Sequence, residues 1–505
     1  MIGIGSATVL KGGHLVDPSQ GIDRVADIAV VGGRVAAVGP EAAASVPEGA
    51  ETIDLSGHYV SPGWFDIHIH AYGTLGFADP DSIGIRQGVT SYVDAGGPGI
   101  GVMDEFAALL GGHTVTDLYA GPYIRPMGII GAQFIEGDIR SLMNFPVTQW
   151  VDFMADHPGL VRYLKVAALG SYGTGPLKMG KGLAEIIGVP LYGHIGEYQH
   201  QPVDPCVYEI FNISQPGDII THLYHANDGP VLDEDSRVLP VVRDAERRGV
   251  LFDVGFGAFN FGWDLAEKCF AQDLRPHIIS SDLQQFNVLG PVKSLANILG
   301  IFLHLGMSLD EVIDTITHIP AKALGLEDRI GSLAPGMPAD ITVFDVEEGE
   351  FEAFDTYAVS RRIGRRFAPV LAFKHGVRYE IDMELCQDER NWMMQIAEDH
   401  IPEAAARLSG RQREFLGALR PALEPHRWTY SLDDMDLATA TALQGVVHAA
   451  ARRTGIPLRD ALMALYGAFL DSPFTIQSGL LLLQIDRDLA LDRLEAVARD
   501  CRAAA

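Results

Sequence analysis

Between residues 61 and 324, short apolar runs alternate with helix-length stretches, the pattern of βα units feeding a parallel sheet. The runs end near His70, Asp94, Tyr123, Lys165, His194, His222, Gly255 and Asp282. Eight such units in about 250 residues match the size of a (β/α)8 barrel of the TIM type, so the predicted fold class is α/β. A doubly wound open sheet is the alternative, but no G-x-G-x-x-G opens an early helix after a strand.

The flanks read differently. Ala7–Leu15, Ala26–Val31 and Arg34–Val38 are strand-like, the last two joined by a Gly-Gly pair suited to a hairpin. Strand-like segments return in Gly331–Asp345 and in Pro369–Tyr379, with a turn at Lys374-His375-Gly376. Residues 1–60 and 325–382 are therefore expected to combine into one small β-sandwich beside the barrel of 61–324. The charged stretch from Asp345 to Glu352 reads as a solvated turn. Residues 383–505 read as a helical domain, with apolar spacing of three and four over Asn391–Ala404, Arg411–Leu419, Leu437–Arg453, Leu458–Leu470 and Phe474–Cys501. Pro421, Pro425, Pro457 and Pro473 mark its expected helix boundaries, and it carries no catalytic motif. Packing on the barrel or building a homo-oligomer is its expected role.

A chain of 505 residues that is 47% hydrophobic can bury a large core plus an accessory domain. Its net charge of −28 argues against nucleic acid and anionic membrane as partners, since both need clustered Lys and Arg. Cys206, Cys269, Cys386 and Cys501 form no CxxC pair, so neither a disulfide framework nor a thiolate zinc site is expected, and a reducing cytoplasm fits. No signal-peptide pattern opens the sequence, and no uninterrupted apolar run is long enough for a membrane span.

The sharpest local signal is Phe65-Asp66-Ile67-His68-Ile69-His70. Residues i and i+2 of a strand share a face, so two imidazoles there can grip one ion. Lys165, His194, His222 and Asp282 follow, each ending an apolar run, at intervals of 29, 28 and 60 residues. Those intervals are one, one and two βα repeats, which puts all the side chains on one rim of the barrel. An ammonium would repel a dication, so Lys165 must be deprotonated, point away, or be carboxylated to an anionic carbamate.

In this order and spacing, His68, His70, Lys165, His194, His222 and Asp282 resemble the binuclear amidohydrolase superfamily, which contains dihydroorotase, hydantoinase and phosphotriesterase. The likeness covers roughly residues 1–380. It includes G-H-Y-V-S-P-G-W-F-D-I-H-I-H and P-A-K-A-L-G-L-E-D-R-I-G-S-L-A-P-G-M-P-A-D-I-T-V-F-D, and G-D-I-I-T-H, G-V-L-F-D-V-G-F-G and I-I-S-S-D-L are most similar to the deacetylase-like branch. The resemblance implies two divalent metal ions, with zinc expected and manganese, iron or cobalt also suited. His68, His70 and Asp282 would bind one ion, His194 and His222 the other, and carboxylated Lys165 would bridge them. A shared hydroxide would be the nucleophile. Asp282 would be the general base and then the general acid; its bland alternative is a helix N-cap.

Phe256 stands in G-F-G where relatives often read G-H-G, and Gln284 where S-D-x-H is common, so the substrate pocket is expected to differ. Arg125, Glu197, Tyr224, Phe256 and Gln284 are the candidate substrate contacts, with surface solvation or a salt bridge as their structural alternatives. Tyr198, His225 and Asn227 share those loops; His200, His277, His318 and His375 read as structural. The expected activity is hydrolysis of an N-acyl or O-acyl bond of a small molecule. A cyclic amide hydrolase is the runner-up, and a non-catalytic barrel serving as a binding or assembly partner is the alternative of another class.

Overall fold

The computed structural model describes residues 7–72, 80–110, 114–129, 146–169, 173–196, 206–227, 229–285, 287–384, 395–429, 437–471 and 477–499. The chain divides into two compact units. The first holds residues 1–70, 80–100 and 114–387; the second holds 71–79, 101–113 and 388–505.

In the first unit, β1 (Ala7–Asp17), β2 (Ile22–Val31), β3 (Arg34–Val38), β4 (Glu51–Asp54) and β5 (Tyr59–Pro62) belong to an eight-stranded sheet. Gly32 and Gly33 both take positive φ, the hairpin geometry that matches strand twist. A side chain on Gly33 would meet the His375 carbonyl at 2.8 Å, a second reason for glycine there.

Next come β6 (Trp64–Ile69), β7 (Val89–Asp94), β8 (Asp117–Ala120), β9 (Leu164–Ala167), β10 (Leu191–His194), β11 (Ile219–Thr221) and β12 (Leu251–Phe252). They pair in parallel as β6-β7-β8 and β9-β10-β11-β12. Strands β6 and β7 are buried at every residue, their polar ones included. Parallel bridges Ala120–Val161 and Tyr123–Lys165 link the β8 region to the β9 region. On the other side, Asp253–Ile278 and Ile69–Leu283 tie the segment 278–283 to β12 and β6. Phe65, Ile67, Val93, Tyr163, Tyr192, Ile219 and Ile278 bury their side chains in one cluster from these strands.

The chain then returns to the first sheet with β13 (Ile341–Phe354), β14 (Ser360–Lys374) and β15 (Val377–Glu380). β13 pairs antiparallel with β5, so segments from both sides of the parallel strands share one sheet, ordered β15-β14-β13-β5-β1-β2-β3 with β4 beside β1. The acidic stretch after Phe344 is a strand, contrary to the turn expected. Arg366 pairs with Glu347 at 2.6 Å and Arg362 with Glu350 at 3.3 Å across β13 and β14, so opposite charges face each other along the ladder.

In the second unit, helices cover Gly410–Leu423, Leu437–Thr454 and Leu458–Phe469 close to expectation. Three details differ. From residue 395 no helix forms until Glu403, because Ala397 bonds Phe469 and Ile396 bridges Leu470, diverting the backbone from helical pairing. The last expected helix is two, Ser478–Leu483 and Arg487–Arg499; between them Asp486 accepts from the amides of Asp488 and Leu489, as an N-cap does. Pro421 lies inside its helix, two residues before the end at Leu423, rather than at a boundary. No described helix is long and apolar enough to cross a membrane.

Candidate metal centre

The carboxyl ends of the parallel strands bring His68, His70, Lys165, His194, His222 and Asp282 together, all buried. Lys165 Nζ lies 2.7 Å from His68 Nε2. Asp282 Oδ1 stands 3.4 Å from His68 Nε2 and 3.0 Å from His70 Nε2. The His194 and His222 rings meet at 4.4 Å, and His222 lies 5.2 Å from His68. One potential ligand atom from each of His68, His222 and Asp282 lies within 4.8 Å of the others. His222 and Asp282 both take positive φ, 71° and 48°, a costly backbone state that aims both side chains into the cluster. Asp282 opens no helix, so it is not an N-cap.

Hydrogen bonds fix the imidazoles. Tyr192 donates to Asp253 Oδ2 at 2.5 Å, so its oxygen is left to accept from His68 Nδ1 at 2.9 Å. Thr221 and Ser280 donate to the same Asp253 oxygen at 2.6 and 2.7 Å. His222 Nδ1 faces the Gly255 carbonyl at 2.7 Å, which can only accept. Both rings therefore carry their proton on Nδ1 and turn a bare Nε2 inward.

Burial holds His68, His194 and His222 well below the ordinary histidine value. The Lys165 charge adds to this for His68 and His194, and neighbouring His194 adds to it for His222. Burial also pulls Lys165 down to about 8, against the opposing pull of Asp282, Asp94 and Asp253. It pushes Asp66 up to about 7 and Asp253 up to about 6, with hydrogen bonds opposing in each case. Neutral His68 and His222, with inward lone pairs beside the Asp282 carboxyl, form an acceptor-rich pocket once Lys165, 2.7 Å from His68 Nε2, is uncharged. That donor set fits divalent metal ions.

Among the candidate substrate contacts, Gln284 joins the cluster: its Nε2 donates to Asp282 Oδ1 at 3.2 Å. Arg125 is buried, its Nε donating to the Gly128 carbonyl at 2.8 Å and its guanidinium lying over Tyr123. Two others pack into the core. Tyr224 is wholly buried, donates to the Leu274 carbonyl and packs on Phe261 and Phe270, so its polar tip serves the core. Phe256 stacks on Phe261 at 4.5 Å and is equally buried, a packing residue. Glu197, Tyr198 and His200 lie outside the described residues.

Sequence reasoning missed three polar groups. Asp253 anchors Tyr192, Thr221 and Ser280. Asp66 Oδ1 accepts from the amides of His68 and Ser281 at 3.2 and 3.1 Å, joining β6 to the segment 278–283. Asn260 Nδ2 reaches Asp282 Oδ2 at 3.4 Å. Asp253 could have been found, since it ends the apolar run Val250-Leu251-Phe252 one βα repeat beyond His222.

Comparison with known proteins identifies the family. The family model described as "Amidohydrolase family" matches residues 301–365. A deacetylase of Agrobacterium fabrum is 31% identical over 326 residues, spanning 63% of this chain and 78% of the relative. An adenine deaminase structure superposes with a TM-score of 0.66 at 27% identity, covering 74% of this chain and all of that one. A dihydroorotase structure gives 0.66 at 27% identity, covering 75% of this chain and 98% of that one. The chain belongs to the amidohydrolase superfamily and is a hydrolase acting on carbon–nitrogen bonds.

Proposed function

We propose that the chain is a metal-dependent hydrolase that cleaves an N-acyl or O-acyl bond of a small molecule at a centre for two divalent ions. The observation that carries this reading is the convergence of bare imidazole nitrogens, Asp282 and a depressed lysine at one buried point. Parallel bridges at both seams of the strand set support a closed (β/α)8 barrel around it. The shared core of Leu10, Val30, Val35, Val60, Val343 and Phe373 supports a sandwich for the flanking sheet.

His68, His70 and Asp282 would hold one ion and His194 and His222 the other, with zinc the metal best suited to imidazole and carboxylate together. Lys165, carboxylated by carbon dioxide, would stand between them as an oxygen ligand. When bound, such ions supply an acidified water and a polarised substrate carbonyl. Asp282 takes the proton as the water oxygen bonds to the acyl carbon, and returns it to the departing nitrogen or oxygen as that bond breaks. Asn260 and Gln284 donate to its two oxygens and hold the carboxylate in place.

A cyclic amide substrate is the second reading, favoured by the dihydroorotase likeness. A panel of N-acetyl and O-acetyl amino acids and hydroxy acids, set against dihydroorotate, hydantoins and lactams, separates the two. Elemental mass spectrometry of protein purified with bicarbonate and without chelator tests the centre itself. Close to two transition-metal ions per chain, with clear loss in Lys165→Ala, supports it; no metal under any loading condition leaves a non-catalytic binding protein in front.

A further inference from the structure

The tip of the β13–β14 hairpin, Asp355–Val359, bonds the loops that follow β11 and β12. Tyr357 Oη accepts from the Ala226 amide at 2.9 Å and donates to the Phe259 carbonyl at 2.6 Å, with Asn227 Oδ1 at 3.1 Å. Thr356 grips Phe261 from both sides. Its amide and Oγ1 donate to the Phe261 carbonyl at 3.0 and 2.9 Å, and its Oγ1 accepts from the Phe261 amide at 3.1 Å. Asp355, buried, sets the tip by accepting from the amides of Tyr357 and Val359 at 2.8 Å each and from Trp263 at 3.1 Å.

Phe259 and Phe261 are the two neighbours of Asn260, whose side chain reaches Asp282. The loop has little freedom of its own beside that carboxylate: a side chain on Gly257 would lie 2.3 Å from Asp282 Oδ2. Ala226 and Asn227 lie four and five residues beyond His222, so the same hydroxyl ties the loop leaving His222 to the loop carrying Asn260.

We propose that Tyr357, with Thr356, is a positioning residue for hydrolysis, clamping both neighbours of Asn260 so that its amide stays on the Asp282 carboxylate. The inference rests on the reading of Asp282 as the proton carrier. Changing Tyr357 removes none of the reacting groups, because its hydroxyl bonds loop backbone and Asn227.

The test uses the full zinc-loaded chain as Tyr357→Phe and Thr356→Val, with Ser360→Ala as a control. Ser360 sits on the same hairpin, and its hydroxyl donates to Glu352 at 2.8 Å. Hydrogen exchange should quicken about tenfold at the amides of 257–262 in both tip variants and not in the control. With the best N-acetyl amino acid of the panel, kcat should fall about tenfold while KM stays within about twofold. Unchanged exchange in this loop overturns the clamp, and faster exchange with unchanged kcat overturns the positioning role. A parent chain that hydrolyses no panel member defeats the proposed acyl-bond substrate instead, and the exchange result still decides whether the tip holds the loop.

Discussion

Lys165 Nζ and His68 Nε2 stand 2.7 Å apart, with the imidazole proton on the far side of the ring and its lone pair facing the amine. An ammonium in that place would be satisfied but would exclude a dication. A neutral amine can react with carbon dioxide. Because burial pulls the group down to about 8, its reactive neutral form grows as pH rises through that value. At fixed dissolved carbon dioxide, the metal-free chain should therefore take up zinc faster from pH 7 to pH 9 and level off above. Lys165→Arg, which stays cationic, should take up little at any pH. A pH-independent loading rate would count against carboxylation at this site.

Asp253 should matter although it is no ligand. It holds Tyr192, Thr221 and Ser280 as donors, and so leaves the Tyr192 oxygen to accept from His68. Asp253→Asn places a donor there and permits the wrong imidazole tautomer. Zinc affinity, measured by chelator competition, should drop about 10- to 100-fold, the range found for partners behind metal ligands. Tyr192→Phe should fall less, since Thr221 Oγ1 stays within 3.3 Å of His68 Nδ1. Equal affinity in Asp253→Asn and parent would remove the orienting role.

The proposed metal-site residues were legible because strand periodicity fixes them: His68 and His70 share a face, and whole βα repeats separate Lys165, His194 and His222. What the sequence concealed depends on distant contacts. Nothing local distinguishes Asn260 from any loop asparagine until Thr356 and Tyr357 arrive from about a hundred residues away. Tyr224 reads as a pocket residue because it lies on the loop just beyond His222, but in the fold, after the positive φ at His222, its hydroxyl turns to the Leu274 carbonyl. The acidic stretch after Asp345 could have been recognised as a strand from its complement, since Arg361, Arg362, Arg365 and Arg366 follow at hairpin distance.

Gly257→Ala isolates the space around Asp282. The backbone there has φ 62°, and the added carbon would lie 2.3 Å from Asp282 Oδ2 and 2.6 Å from Asn260 Nδ2. Left-handed strain alone costs about 1–2 kcal/mol, so the chain should fold with a modestly lower Tm. The carboxylate, however, must move. A kcat at least about tenfold lower is expected, since small misplacements of reacting groups carry large rate penalties. A variant that loses stability and keeps its kcat would show that the carboxylate has room to spare.

Within the helical unit, stability should hinge on one carboxylate. Glu105, on the helix Met103–Leu110, is wholly buried and accepts from His448 Nε2 at 2.8 Å, from the Ser478 amide at 3.0 Å and hydroxyl at 2.5 Å, and from Tyr72 at 3.3 Å. Four donors from three separate stretches of chain converge on it, so truncation strands all of them in an apolar setting. Glu105→Ala should cost about 3 kcal/mol in urea unfolding followed on the helical signal, as breaking a buried, hydrogen-bonded charge does. Glu105→Gln keeps an acceptor oxygen but turns an amide donor toward donors, so it should fall between Ala and the parent. A cost below about 1 kcal/mol for Glu105→Ala, the level of an exposed pair, would mean that water reaches the cluster and replaces the carboxylate.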